Sequence, residues 1–164
     1  MELLDIYDDD GNTTGRTIIR GDKSVELSKH EHIAVAVIFI KNSSGEFLIQ
    51  KTSKEKGGYF SSTGGHINSG ETPLETIQRE VEEELGIKIP KEEIQELGFI
   101  REGMPLRFLF YIEIDIPLEA ITLQQEEVES VEYKKKEEIE QLIKNKELLE
   151  SHGILFKELL KRIQ

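Results

Sequence analysis

The spacing of apolar and polar residues changes period along the chain, from short strand-like runs early on to helical stripes near the end. Residues 3–7 and 16–20 flank the cluster Asp8-Asp9-Asp10-Gly11-Asn12 and predict a strand, a turn and a strand. The acidic tip lacks the EF-hand spacing, so a hairpin turn is expected rather than a calcium loop. Residues 32–40 (HIAVAVIFI) are apolar enough for a strand at the centre of a sheet. Residues 42–45 then turn and 46–51 pair back, followed by a mobile basic loop with Lys54, Lys56, Gly57 and Gly58 and an extended run at 59–62. Residues 97–102 and 106–116 read as strands joined by a tight Gly103-Met104-Pro105 turn, and 128–133 as a last strand. From Lys136 the pattern is helical, with one stripe at Ile139, Leu142 and Ile143 and another at Ile154, Leu155, Leu159 and Ile163. Gly153 is expected to separate or open the final helix. Packing of these stripes on the domain's own sheet is expected ahead of a partner surface, which leaves a homodimer open. The order of elements predicts an α+β domain, a mixed sheet with helices on its faces.

Between these segments lies one helix with unusual chemistry. Thr72 suits an N-cap, Pro73 the first helical position, and Glu75 the third position of a capping box. Leu74, Ile77, Val81 and Leu85 form its buried stripe, and Gly86 is placed to end it. Glu80, Glu83 and Glu84 stand at i, i+3 and i+4 and so project from one face. Like charges at this spacing destabilise a helix by about 0.2–0.5 kcal/mol per pair. A solvated acidic face is the ordinary reading of such a run. A cation held by the carboxylates is the other, and an all-oxygen donor set favours Mg²⁺ or Mn²⁺ over Zn²⁺.

The wider frame decides between the two. Residues 65–87 read GHINSGETPLETIQREVEEELGI and set Gly65, Glu71, Arg79, Glu80, Glu83, Glu84 and Gly86 at fixed intervals, with Val81 and Ile87 at the aliphatic positions. This resembles the Nudix box, G-x5-E-x7-R-E-U-x-E-E-x-G-U with U a bulky aliphatic, at every specified position. At roughly 7% per position by composition, seven chance matches have odds on the order of 10⁻⁸. The resemblance implies an α/β/α sandwich with a mixed sheet, here preceded by an N-terminal β-hairpin. It also implies divalent-metal-dependent hydrolysis of a pyrophosphate linkage in a nucleoside diphosphate joined to another moiety. The family's metal-ligand roles fall on Glu80 and Glu84, with Glu83 in the same cluster and the Gly65 carbonyl as a further oxygen. Arg79 takes the place of the arginine that orients the glutamates, with Glu71 as its partner. A single domain over 1–164 is expected, with 1–30 as the hairpin extension, 31–145 as the core and 146–164 as a C-terminal helix.

Composition narrows the setting. The chain has 164 residues, 33 acidic against 21 basic, for a net charge of −12. That balance argues against general nucleic-acid binding, which depends on neutralising phosphates. A small-molecule diphosphate must then be met by bound metal and a few local cations. Lys51, Lys54, Lys56, Arg101 and Arg107 are candidates for the phosphates, and Tyr59 and Phe60 for stacking on a base. There is no cysteine, no run long enough for a membrane span and no basic-then-apolar leader, which together predict a cytoplasmic protein.

The general base is open between the box and a glutamate outside it. The resemblance places such a residue just before the last strand, where Glu127 is preferred over Glu126 and Glu129. A weaker likeness to isopentenyl-diphosphate isomerase spans residues 2–145, through Asp5, Gly15, Arg20, His32, Leu48-Ile49-Gln50-Lys51 and Gly64-Gly65-His66. It would set His66 and His32 near a metal. Isomerase chemistry is excluded by the missing cysteine. A catalytically silent nucleotide-binding module is disfavoured because every box carboxylate is present.

Overall fold

The structure is a computed structural model and describes residues 2–101 and 105–163. Its elements run β1 (Leu3–Tyr7), β2 (Thr13–Ile19), β3 (Ala34–Lys41), β4 (Phe47–Thr52), β5 (Phe60–Ser61), β6 (Thr63–His66), α1 (Pro73–Leu85), β7 (Gln95–Ile100), β8 (Leu106–Glu113), β9 (Val128–Lys134), α2 (Lys136–Lys144) and α3 (Glu150–Arg162). The expected turn at Gly103-Met104-Pro105 falls partly outside the described residues.

β3 organises the sheet. It runs parallel to β8, from Ala34 opposite Leu106 to Lys41 opposite Glu113, and antiparallel to β6 on its other side. β7 closes the far edge against β8. β4 meets β3 only at Lys41 and Phe47, then diverges to pair with β9 and β5. The sheet is therefore mixed and splayed, with helices on both sides.

Burial on both faces explains why β3 is apolar at nearly every position. Ala34, Ala36, Ile38 and Ile40 pack with Ile77, Val81 and Leu85 of α1. Val37 and Phe39 pack with Ile139 and Leu142 of α2 and with Leu155, Phe156 and Leu159 of α3. This is the layered α+β sandwich expected from the sequence.

α1 begins and ends as its sequence dictates. The Glu75 N–H donates to the Thr72 hydroxyl at 3.1 Å, and the Thr72 N–H donates to the Glu75 carboxylate at 2.9 Å. Gly86 closes the helix in a left-handed conformation, φ +66°.

The N-terminal hairpin is tied into the rest of the molecule. Leu4, Ile6 and Tyr7 are buried, and Tyr7 exchanges backbone hydrogen bonds with His32 at 2.7 and 2.9 Å. β2 starts at Thr13, ahead of the expected Arg16, because the Asp8 carboxylate takes the Asp10 and Asn12 N–H groups and makes the turn tight.

One expectation is corrected. Gly153 neither separates nor opens the last helix but lies inside α3, whose N-cap is Leu149. A Cβ there would sit 3.3 Å from the Ile143 side chain, so glycine serves the close approach of α3 to α2. Among the described residues, no helix is long and apolar enough to cross a membrane.

The capping box sets a stability prediction. Thr72→Ala leaves the Glu75 N–H without its acceptor and should cost about 1 kcal/mol. Urea unfolding should show a lower midpoint with an unchanged slope, and an unchanged midpoint would mean that the cap contributes nothing.

Candidate active site

A cleft of about 600 Å³ lies over Val35 and Val37, on the side of the sheet that faces α3. α1 packs on the opposite side, yet Glu80, Glu83 and Glu84 line this same cleft. Glu80 lies against β6 at Gly65, which carries no side chain. A Cβ on Gly65 would collide with the Glu80 carboxylate, and one on Gly64 with the Ala36 carbonyl oxygen. Gly64 is therefore a packing requirement, whereas a side chain at Gly65 would displace the end of the Glu80 side chain.

Arg79 binds the acidic groups into one frame. Its Nε and Nη2 donate to the two Glu71 oxygens at 2.7 and 3.0 Å. Nη1 donates to Glu80 at 2.9 Å and to Glu83 at 3.2 Å, and Nη2 also reaches the His66 carbonyl at 3.2 Å. Glu71 further accepts from the Asn68 N–H and the Thr76 hydroxyl. Burial would raise its pKa, but these donors outweigh it and hold the carboxyl below its ordinary value. Arg79 and Glu71 thus tie the loop before α1 to the helix itself.

The deeper carboxylates are in the opposite condition. Burial pushes the Glu80 carboxyl up to about 7, with Arg79 opposing and Glu83 adding to the rise. Burial, then the neighbouring Glu80, pushes Glu84 up to about 8. Gln50 donates to one Glu84 oxygen at 3.5 Å, while the other is buried with no hydrogen-bond partner. Such an oxygen costs about 1–3 kcal/mol or more if left unpaired.

Among the described residues, no three acidic or imidazole groups already converge as a metal cluster, since the carboxylates rest on Arg79 and Gln50. The donor set nevertheless fits a hard divalent cation. It is made of oxygen, it is crowded with negative charge, and it includes the unpartnered Glu84 oxygen, with Glu80 against Gly65.

The other walls are cationic. Glu127 lines the cleft and lies 3.5 Å from the Lys56 ammonium. Of the alternatives, Glu129 turns to Lys51 at 3.8 Å, and Glu126 is absent from the lining. Arg107 on β8 points into the cleft, because its position opposite Val35 gives it the same face. The remaining substrate candidates lie outside the cleft lining. Lys51 sits over the Phe60 ring at 5.6 Å, and Phe60 packs against the α3-side core. Lys54 is exposed in a short helical turn, Arg101 pairs with Asp9 at 3.4 Å, and Tyr59 lines a separate pocket beside α3. His66 faces the cleft, whereas His32 is bound to Asp9 at 2.7 Å on the hairpin side.

Three cleft residues escaped the sequence reading as substrate contacts. Arg20 enters from the hairpin, paired with Glu2 at 2.7 Å, and helps burial lower the His66 pKa. His152 enters from α3 and binds Ser62. Ser151 precedes it. No local spacing marks them, since the Ser62–His152 contact spans 90 positions.

Fold and cleft together define a sandwich hydrolase with an acidic helix on one wall. The chain matches the NUDIX domain family over residues 30–158 and belongs to the Nudix hydrolases. An uncharacterised Nudix hydrolase of Listeria monocytogenes is 35% identical over 152 residues, spanning 87% of this chain and 85% of that protein. Nudix hydrolase 3 of Arabidopsis thaliana is 35% identical over 148 residues, 80% of this chain but 19% of that longer protein. The crystal structure of DR0079 from Deinococcus radiodurans superposes with a TM-score of 0.78 and covers 99% of this chain and 100% of its own. The NUDIX domain of Shewanella oneidensis NrtR, crystallised with ADP-ribose, has a TM-score of 0.66, covering 87% of this chain and 93% of its own. At 21% and 15% identity, these two likenesses concern the fold.

The buried carboxyls predict a pH and metal dependence of stability. Glu80 and Glu84 have folded pKa values above the ordinary 4.5, so the native state holds protons that the unfolded chain releases. Their contribution is full below about 4.5 and is lost as pH rises through 7 to 8. The melting temperature of metal-free protein should fall across this window, and less steeply in Glu84→Gln. Mg²⁺ should raise it more at pH 8 than at pH 6. Equal increments at both pH values would remove the buried carboxylates from the cation site.

Proposed function

We propose that this Nudix hydrolase cleaves the pyrophosphate linkage of a nucleoside diphosphate joined to a second moiety, using Mg²⁺ or Mn²⁺. The observation that carries the reading is the unpartnered Glu84 oxygen in a cleft whose facing walls bear Arg20, Lys56 and Arg107. A dense anion flanked by cations and completed by a divalent ion is what a pyrophosphate presents.

Glu80 and Glu84 would hold the cation, with Glu83 and the Gly65 carbonyl available as further oxygens. When bound there, it would neutralise phosphate oxygens and polarise the phosphorus under attack. Arg79 keeps the glutamates aligned from behind. Arg107 and Lys56 meet the non-bridging oxygens from the opposite wall. Glu127 accepts the proton of the attacking water as the new P–O bond forms and the bridging P–O bond breaks. The ADP-ribose bound by the Shewanella NUDIX domain makes that compound a reasoned first substrate to test.

Two variants test the assignment on a panel of nucleoside diphosphate derivatives that includes ADP-ribose, scored by phosphate-ester products with Mg²⁺ and Mn²⁺. Glu84→Gln keeps shape and removes charge, so turnover should be lost while metal-free stability at pH 8 holds or rises. Near-normal turnover in that variant would overturn the metal role.

Glu127→Gln should lower turnover by roughly 10²–10⁴ with KM nearly unchanged, and higher pH should partly restore it as hydroxide replaces the base. Rescue by excess Mg²⁺ instead of pH would make Glu127 a ligand. A change within two- or threefold would return the base to the box.

A further inference from the structure

The cleft also contains a side chain that the scheme above does not use. His152 sits in the first turn of α3 and faces the cleft, while its Nδ1 lies against β5 and β6. The Ser62 backbone N–H donates to Nδ1 at 3.1 Å, and the Ser62 hydroxyl lies 2.9 Å from the same nitrogen. An N–H can only donate, so Nδ1 is the accepting nitrogen, and the neutral ring carries its hydrogen on Nε2. Burial, and then the nearby Arg107 guanidinium, push the imidazolium pKa down to about 4, so the ring is neutral at ordinary pH. Ser62 thus sets both the tautomer and the tilt of the ring.

We propose that His152 is a substrate-positioning residue whose Nε2–H, beside Arg107, donates to a non-bridging oxygen of the phosphate furthest from the α1 glutamates. The proposal rests on the reading of the cleft as a diphosphate site. It gives that cleft two unlike ends. On the α1 side, carboxylates require a cation before they can meet phosphate. On the α3 side, a neutral N–H and a guanidinium meet phosphate directly. Two phosphorus centres joined by one bridge suit such a site, whereas a single phosphate would leave one end unfilled. A neutral donor has a further use, since it can bind an anion without drawing in the nearby carboxylates as a protonated histidine would.

A structural pin from α3 to Ser62 is the competing role, and two amide variants separate them. In His152→Asn the amide oxygen takes the place of Nδ1, which keeps the Ser62 contact and removes the donor at Nε2. In His152→Gln the amide nitrogen reaches the place of Nε2, which restores the donor and loses the Ser62 contact. The probe is methylenediphosphonate, a diphosphate that cannot be hydrolysed, bound with Mg²⁺ to the full chain and followed by calorimetry. A hydrogen bond to a charged acceptor corresponds to roughly tenfold or more in affinity. His152→Asn should therefore bind about tenfold more weakly with its melting temperature kept, and His152→Gln should recover part of the affinity despite lower stability.

The opposite order, with Asn like wild type and Gln impaired, would reduce His152 to a pin and overturn the proposal. So would a wild-type chain that does not bind the probe. NMR of wild-type protein labelled with ¹⁵N at histidine gives a check that needs no variant. The His152 ring should show the Nε2–H tautomer, and its Nε2–H signal should move downfield on adding the probe. An unmoved signal would also overturn the proposal. Loss of nucleotide hydrolysis with probe binding retained would count against the reaction proposed above and leave this inference standing.

Discussion

The glutamate-lined cleft depends on backbone passing where a side chain would not fit unshifted. β6 pairs with β3 at both glycines: Gly64 lies against the Ala36 carbonyl, and Gly65 leaves room for the Glu80 carboxylate against the main chain. A Cβ at Gly65 would displace that carboxylate. A helix whose apolar stripe is buried on one face of the sheet thus has its acidic residues lining a cleft that also reaches Val35 and Val37 of the other. The glycines are placed by this approach and not by a turn, since neither has the left-handed backbone seen at Gly70 and Gly86.

That placement has an electrostatic cost, which the site localises. Glu80 and Glu84 leave water for a place where their charged forms are disfavoured. Arg79 offsets part of this through Glu80 and Glu83, and Glu71 holds the guanidinium in position from the far side. Glu84 is supported instead by a long contact from Gln50, itself fixed by the Thr63 hydroxyl at 2.9 Å, and by the Gly64 backbone. The structure thus leaves one buried Glu84 oxygen without a hydrogen-bond partner on a residue that lines the cleft.

The remaining walls come from both ends of the chain. The hairpin carries Arg20, β8 carries Arg107 and α3 carries His152 to one cavity. None of these elements touches the glutamate helix through its sequence neighbours. They meet because β3 pairs with both β6 and β8, so residues from either side of Val35 share one face. The hairpin is held for the same reason, by backbone bonds from Tyr7 to the segment that enters β3.

By itself, the sequence determined whatever depends on neighbours along the chain. The cap, the apolar stripe and the acidic face of α1 follow from a helical repeat, and the twofold burial of β3 follows from its unbroken apolar run. The pairing of Arg79 with Glu71 came from the resemblance of the box, and the structure shows it as a two-bond contact. Only tertiary structure decided which basic residues share the cleft. Lys51 and Arg101 read as well as Arg107 in one dimension, but ion pairs with Glu129 and Asp9 hold them elsewhere, while strand pairing opposite Val35 puts Arg107 in the cleft. Gly153 shows the same limit, since a glycine that breaks a helix and one that admits a neighbouring helix are identical until Ile143 is in place. His152 was beyond sequence reading for the most physical of reasons. Its tautomer and its exposure to the cleft are set by Ser62, a contact made only after the sheet and α3 have come together.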